Sequence, residues 1–102
     1  MVIKIVPNDR GNPPGKLAEA EIHFTEGELA GLKLIGFAVW ERRNGSGRVV
    51  TFPARPFTIH GERRHFALIR AIDDPNAQDR LRDLVLRAYL AEIAQAEQAA
   101  NP

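Results

Sequence analysis

At Asp74-Pro75 the hydrophobic period of this chain changes, and the change divides it into two kinds of structure. Before that point apolar side chains alternate with polar ones in short runs, broken by glycine, proline and asparagine. After it they recur three and four positions apart. Alternation at period two puts one face of a strand in a core, whereas spacing of three and four marks one face of a helix. The chain is therefore expected to be α+β: a small antiparallel β-sheet with hairpins, followed by one C-terminal helix.

The strand half reads as follows. Val2 to Val6 is short and β-branched, and Pro7 ends it; it is read as a strand rather than a signal peptide. Asn8 to Gly15 is dense in turn formers. Leu17 to Phe24 alternates, with Ala18, Ala20, Ile22 and Phe24 on one side and Glu19, Glu21 and His23 on the other. Leu32 to Trp40 is apolar on both sides: Leu32, Leu34, Ala38 and Trp40 share one, and Ile35, Phe37 and Val39 the other. A strand of that kind is covered twice or meets a second subunit. Asn44-Gly45-Ser46-Gly47 connects it to a partner strand from Arg48 to Phe52. Pro53 and Pro56 forbid that strand from continuing as a central one. A proline-arginine loop follows, then a turn at His60-Gly61-Glu62 and a strand from His65 to Ile72.

In the helical half, Asp74 is the expected N-cap and Pro75 the first helical residue. Leu81, Leu84, Val85 and Ala88 form a stripe, and Leu86, Leu90 and Ile93 form a second line that exceeds what one face needs. That surplus and the doubly apolar strand together predict a homodimer. Residues 1–94 make a single domain, and the tail 95–102 is expected to fray.

The formal net charge of +1 conceals strong polarity along the chain. Residues 41–70 carry seven arginines against two acids, while the segments on either side are net negative. A basic segment in a nearly neutral domain is suited to an anionic polymer. Guanidinium groups match phosphate because their planar fork donates two hydrogen bonds. The candidates are Arg42, Arg43 and Arg48 around the hairpin turn, and Arg55, Arg63 and Arg64 on the two sides of the proline-arginine loop. Phe57, an aromatic among those arginines, is a candidate for stacking on an unpaired base. The alternatives stay open: these are also what ordinary solvated arginines at hairpin ends look like, and a basic surface suits a protein-protein interaction module with an acidic partner. Trp40 reads as core or interface.

Other chemistry finds little footing. With no cysteine there is no disulfide framework or thiolate site, which suits a cytoplasmic protein. His60 and His65 with Glu62 make a poor metal set, so no metal and no cofactor are expected. Asp73 and Asp74 are explained by solvent and by the helix cap. Gly45-Ser46-Gly47 lacks the lysine and helix of a phosphate loop. No nucleophile has a base beside it, so the chain is not expected to be an enzyme. No segment approaches the roughly 20 apolar residues of a membrane span.

Four segments, in order, resemble the stage V sporulation protein G (SpoVG) family. They are Lys16-Leu17-Ala18-Glu19-Ala20-Glu21-Ile22, Gly31-Leu32-Lys33-Leu34-Ile35-Gly36-Phe37, Val50-Thr51-Phe52-Pro53-Ala54-Arg55 and Val85-Leu86-Arg87-Ala88-Tyr89. The likeness runs from about Lys16 to Tyr89. It differs in having Pro56 directly after Arg55, and Arg70-Ala71 where the family has His-Pro. The resemblance implies a small dimeric bacterial α+β protein that binds nucleic acid and acts as a regulator. By position it carries that role to Arg55 and to the region of Arg63 and Arg64.

Overall fold

The computed structural model describes residues 1–100. Its elements run β1 (Val2–Pro7), β2 (Lys16–His23), β3 (Lys33–Glu41), β4 (Arg48–Thr51), β5 (Ala54–Ile59), β6 (Glu62–Ala67) and α1 (Ala77–Ala100). The first four strands form an antiparallel sheet in sequence order, and β5 and β6 form a separate two-stranded ribbon. The α+β reading and the single C-terminal helix are thus present. Among the described residues no helix is long and apolar enough to cross a membrane.

The alternation of β2 does what its sequence requires. Ala18, Ala20 and Ile22 are buried, and they pair with Val39, Phe37 and Leu34 across to β3. Ile3 and Ile5 of β1 and Val50 of β4 lie on the same face. Helix α1 closes that face with Val85 and Tyr89, and Leu81, Leu86, Ala88 and Ile93 pack around them. Phe37, Val39 and Val85 are the largest fully buried side chains, and Phe37 meets the Phe52 ring edge to face at 5.6 Å. The core is therefore one layer between a sheet and a helix.

Two β-bulges set which residues reach that core. Leu17 is an extra residue on β2, and Ile35-Gly36 together oppose Glu21 on β3. A bulge shifts the phase of alternation by one position. The doubly apolar reading of Leu32–Trp40 is corrected accordingly. Leu34 joins Phe37 and Val39 on the core side, whereas Ile35 is left exposed rather than packed beside them. The opposite face of the sheet is mixed rather than apolar. There Lys16 lies over the Trp40 ring and pairs with Glu19, while the Trp40 indole N–H donates to Thr51 Oγ1 at 2.9 Å. Glu21 sits between His23 and Lys33, and those hydrogen bonds, His23 first, hold its carboxyl below the usual 4.5.

The helix differs from expectation at both ends. It opens at Ala77, after a tight turn in which the Asp74 carboxylate accepts the Asn76 N–H at 2.9 Å and the Arg80 guanidinium at 2.7 Å. The Asn76 carbonyl accepts the Arg80 N–H at 3.0 Å, so Asn76 is the N-cap residue that opens the helix, and Asp74 and Pro75 both lie in the turn before it. At the far end the helix continues through Ala100, so the tail expected to fray is helical as far as it is described; Asn101 and Pro102 lie outside the described residues. The surplus apolar line is largely absorbed, because Leu86 and Ile93 pack on the core and Leu90 stays exposed.

Candidate nucleic-acid interface

The segment read as a proline-arginine loop is a strand. β5 pairs with β6 along its whole length, from Ala54 opposite Ala67 to Ile59 opposite Glu62. His60 and Gly61 join them with φ of 52° and 79°. Two successive left-handed residues make the turn whose twist suits a hairpin, and histidine is among the few residues besides glycine that enter that region readily. Pro56 fits because both strands of a two-stranded ribbon are edges, so its missing N–H interrupts no central ladder. β6 accordingly starts three residues earlier and ends five residues earlier than the expected His65–Ile72 strand.

The ribbon leaves the body at Pro53, which is buried against Gly36, and the Leu68 N–H returns to the Pro53 carbonyl at 2.9 Å. None of its twelve strand residues is buried; Phe57 and Ala67 are half-buried and the others exposed. It is an arm held at its base. The chain measures 55 × 40 × 24 Å with a radius of gyration of 15.4 Å, against about 13 Å for a compact chain of this length.

Register decides which side chains share a face, since directly opposed residues of a ladder point the same way. One face carries Ala54, Pro56, Thr58, Arg63, His65 and Ala67. Three of these, Ala54, His65 and Ala67, line an open groove of about 670 Å³ against Thr51, Phe52, Gln78 and Arg82 of the body. The other face therefore looks outward, and it carries Arg55, Phe57, Ile59, Glu62, Arg64 and Phe66. Arg55 stands opposite Phe66, and Phe57 opposite Arg64. The two rings meet on the diagonal, edge to face, with centroids 6.5 Å apart. Arg70, just beyond the strand, lays its guanidinium 4.5 Å from the Phe66 centroid.

The seven sequence candidates thus fall into separate groups. Arg55, Arg64 and Phe57 come together on the outward face. Arg63 is on the same ribbon but shares the opposite face with His65. Arg42, Arg43 and Arg48 flank the β3–β4 turn, beyond the other end of β4 from the arm. There Arg42 closes the turn through the Gly47 carbonyl and the Gly45 N–H, and the Arg48 guanidinium packs over the Tyr89 ring at 5.4 Å. They do not join the arm in one continuous surface. Among the described residues, the arginines in ion pairs are Arg64 with Glu62 at 2.9 Å, Arg80 with Asp74 and Arg82 with Asp79. Arg55 and Arg70 have no carboxylate partner among them.

Phe66 and Arg70 are the site residues that the sequence reading left out. A signal for Phe66 was present: Arg-x-Phe occurs twice, as Arg55-Pro56-Phe57 and Arg64-His65-Phe66. Two antiparallel copies of that triplet in register place each arginine opposite a phenylalanine. His60 occupies the turn and His65 lines the groove near the base, so they stand apart along the arm. Among the described residues no group of three or more histidine, cysteine, aspartate or glutamate side chains could hold a metal ion. No protein-family model, curated protein or solved structure matches the chain, so its likeness to the SpoVG family rests on the four sequence segments.

Proposed function

We propose that this chain binds nucleic acid, DNA or RNA, through the outward face of the β5–β6 arm, and that it acts in the cytoplasm as a homodimeric regulator of the SpoVG kind. The observation that carries the reading is the alternation of arginine and phenylalanine on that face. Arg55, Arg64 and Arg70 supply cations within reach of one another, and Phe57 and Phe66 keep the face apolar between them. Phosphate contacts then give the affinity and the few side chains able to touch bases give any preference. The resemblance of four segments to the SpoVG family supports the same reading independently.

Self-association is supported by surface area. The chain exposes 7955 Å², whereas a compact monomer of its mass exposes about 5,800 Å². The excess, roughly 2,200 Å², is more than the ~800 Å² that each partner contributes to a standard interface. Ile35, Leu84 and Leu90 are among the large apolar side chains it leaves in water.

The test is electrophoretic retardation of a short oligonucleotide by the wild type and by a variant carrying Arg55→Ala, Arg64→Ala and Arg70→Ala. Loss of the shifted band in the variant, and displacement of the wild-type complex by heparin, are expected. Equal retardation by both proteins removes the arm as the seat of binding, and no retardation by the wild type removes the nucleic-acid proposal and favours a protein partner for the basic surface.

A further inference from the structure

Resting on the nucleic-acid reading, we infer that the arm takes a single strand rather than a duplex, with an unpaired base stacked on Phe66. A nucleotide presents two chemistries side by side, a flat π face and a phosphate. The outward face of the arm presents their complements side by side: Arg55 next to Phe66, and Phe57 next to Arg64. In a duplex the base faces are already covered by their neighbours in the stack, so a duplex offers this surface phosphates and no ring partner. Two phenylalanines pressed toward phosphates gain nothing. A single strand offers both groups in alternation, which is the pattern that stacking platforms in cationic grooves use.

Phe66 is the ring placed to do this. It is 46% exposed although it stands on a ladder between other large side chains. Its π system is reachable from solvent by a flat cation, because Arg70 already lies over it at 4.5 Å. Base stacking on aromatic and guanidinium planes is the ordinary way that unpaired nucleotides are held. A base takes the place of the Arg70 guanidinium on the ring, and Arg70, on its flexible stem beyond the strand, turns to the neighbouring phosphate. Phe57, edge-on to Phe66 and half-buried, fixes the orientation of the ring rather than offering a second platform.

The experiment compares Phe66→Leu and Phe66→Tyr with the wild type by fluorescence anisotropy. The probes are a labelled oligothymidylate, alone and annealed to its oligoadenylate complement, over a range of salt. Phe66→Leu is expected to weaken single-strand binding about tenfold, with the salt slope unchanged because no phosphate contact is removed. Duplex binding stays as in the wild type, and Phe66→Tyr restores the single-strand affinity. Equal loss on both probes, no loss on the single strand, or a loss accompanied by a changed sedimentation mass overturns the inference. As a second measurement, Phe66→Trp places an emitter on the platform, whose fluorescence the single strand should quench and the duplex should not; quenching by both or by neither contradicts it. If the wild type binds neither probe, the nucleic-acid reading itself has failed; if the Arg55→Ala, Arg64→Ala and Arg70→Ala variant binds as well as the wild type, the arm is not its seat. If the arginines matter and Phe66 does not, only the single-strand assignment falls.

Discussion

Gly36 and Pro53 are in direct contact, so close that a Cβ built on Gly36 would stand 2.8 Å from the Pro53 Cβ. Gly36 has a φ of +107°, a backbone conformation that side chains rarely adopt, and it lies in the bulge that turns Leu34 toward the core. One residue without a side chain thus serves two ends. It lets β3 carry its extra residue, and it leaves room for the proline at which β4 stops and the arm departs.

Gly36→Ala is therefore expected to be destabilising on two counts, backbone strain and the clash with a buried proline ring. Together these are worth on the order of 1–3 kcal/mol. Urea unfolding followed by the Trp40 emission measures it. A midpoint equal to that of the wild type would show that the arm is not seated at this contact.

Asp74 makes stability depend on pH. The Arg80 guanidinium, and after it the Asn76 N–H, hold its carboxyl below the usual 3.8. A carboxyl whose folded value is depressed adds stability that is present above its unfolded value and disappears as pH falls through the folded one. Asp74→Asn keeps an oxygen for the Asn76 N–H but loses the charge facing Arg80. Its melting temperature should lie below that of the wild type at neutral pH, and the gap should close as acid is added below pH 3.8. A gap that is constant with pH contradicts the pairing.

Glu62 competes for the proposed ligand. Its carboxylate holds Arg64 at 2.9 Å on the exposed face, where an ion pair contributes little to stability. Glu62→Gln frees the guanidinium and removes a like charge from the path of a phosphate. Nucleic-acid affinity is expected to rise severalfold while the melting temperature hardly moves. Weaker binding in this variant would mean that the Glu62–Arg64 pair orients the site.

The surface excess makes a prediction of its own. Sedimentation equilibrium at micromolar concentration should return twice the 11.4 kDa of the chain. A mass of one chain contradicts the dimer, and the exposed Ile35, Leu84 and Leu90 then need another cover.

Much of the fold is legible in the residues, because binary pattern carries it. The alternation of Ala18, Ala20 and Ile22, the glycine-rich hairpin at 44–47 and the change of period at Asp74 each act locally. What the pattern concealed was phase. A bulge adds one residue without any composition signal beyond Gly36, so Ile35 and Leu34 exchanged faces relative to simple alternation. The arm was concealed for a related reason. Prolines argue against a central strand, so Pro53 and Pro56 suggest a loop, although an isolated ribbon has two edges and tolerates them. Once β5 is a strand, register rather than proximity in sequence sorts the arginines. Arg63 and Arg64 are neighbours in the chain and sit on opposite faces, whereas Arg55 and Arg64 are nine positions apart and share one.

The central claim is that the arm, and not the β3–β4 turn, meets the phosphates. The salt dependence of binding to a single-stranded oligonucleotide tests it most directly, measured for the wild type, for the Arg55→Ala, Arg64→Ala and Arg70→Ala variant, and for Arg42→Ala, Arg43→Ala and Arg48→Ala together. Each lost phosphate contact reduces the slope of log affinity against log salt by about 0.7 on a single strand, so the arm variant should lose about 2. The turn variant should keep the wild-type slope. The reverse pattern, a flattened slope for the turn variant and an unchanged one for the arm variant, would contradict the account.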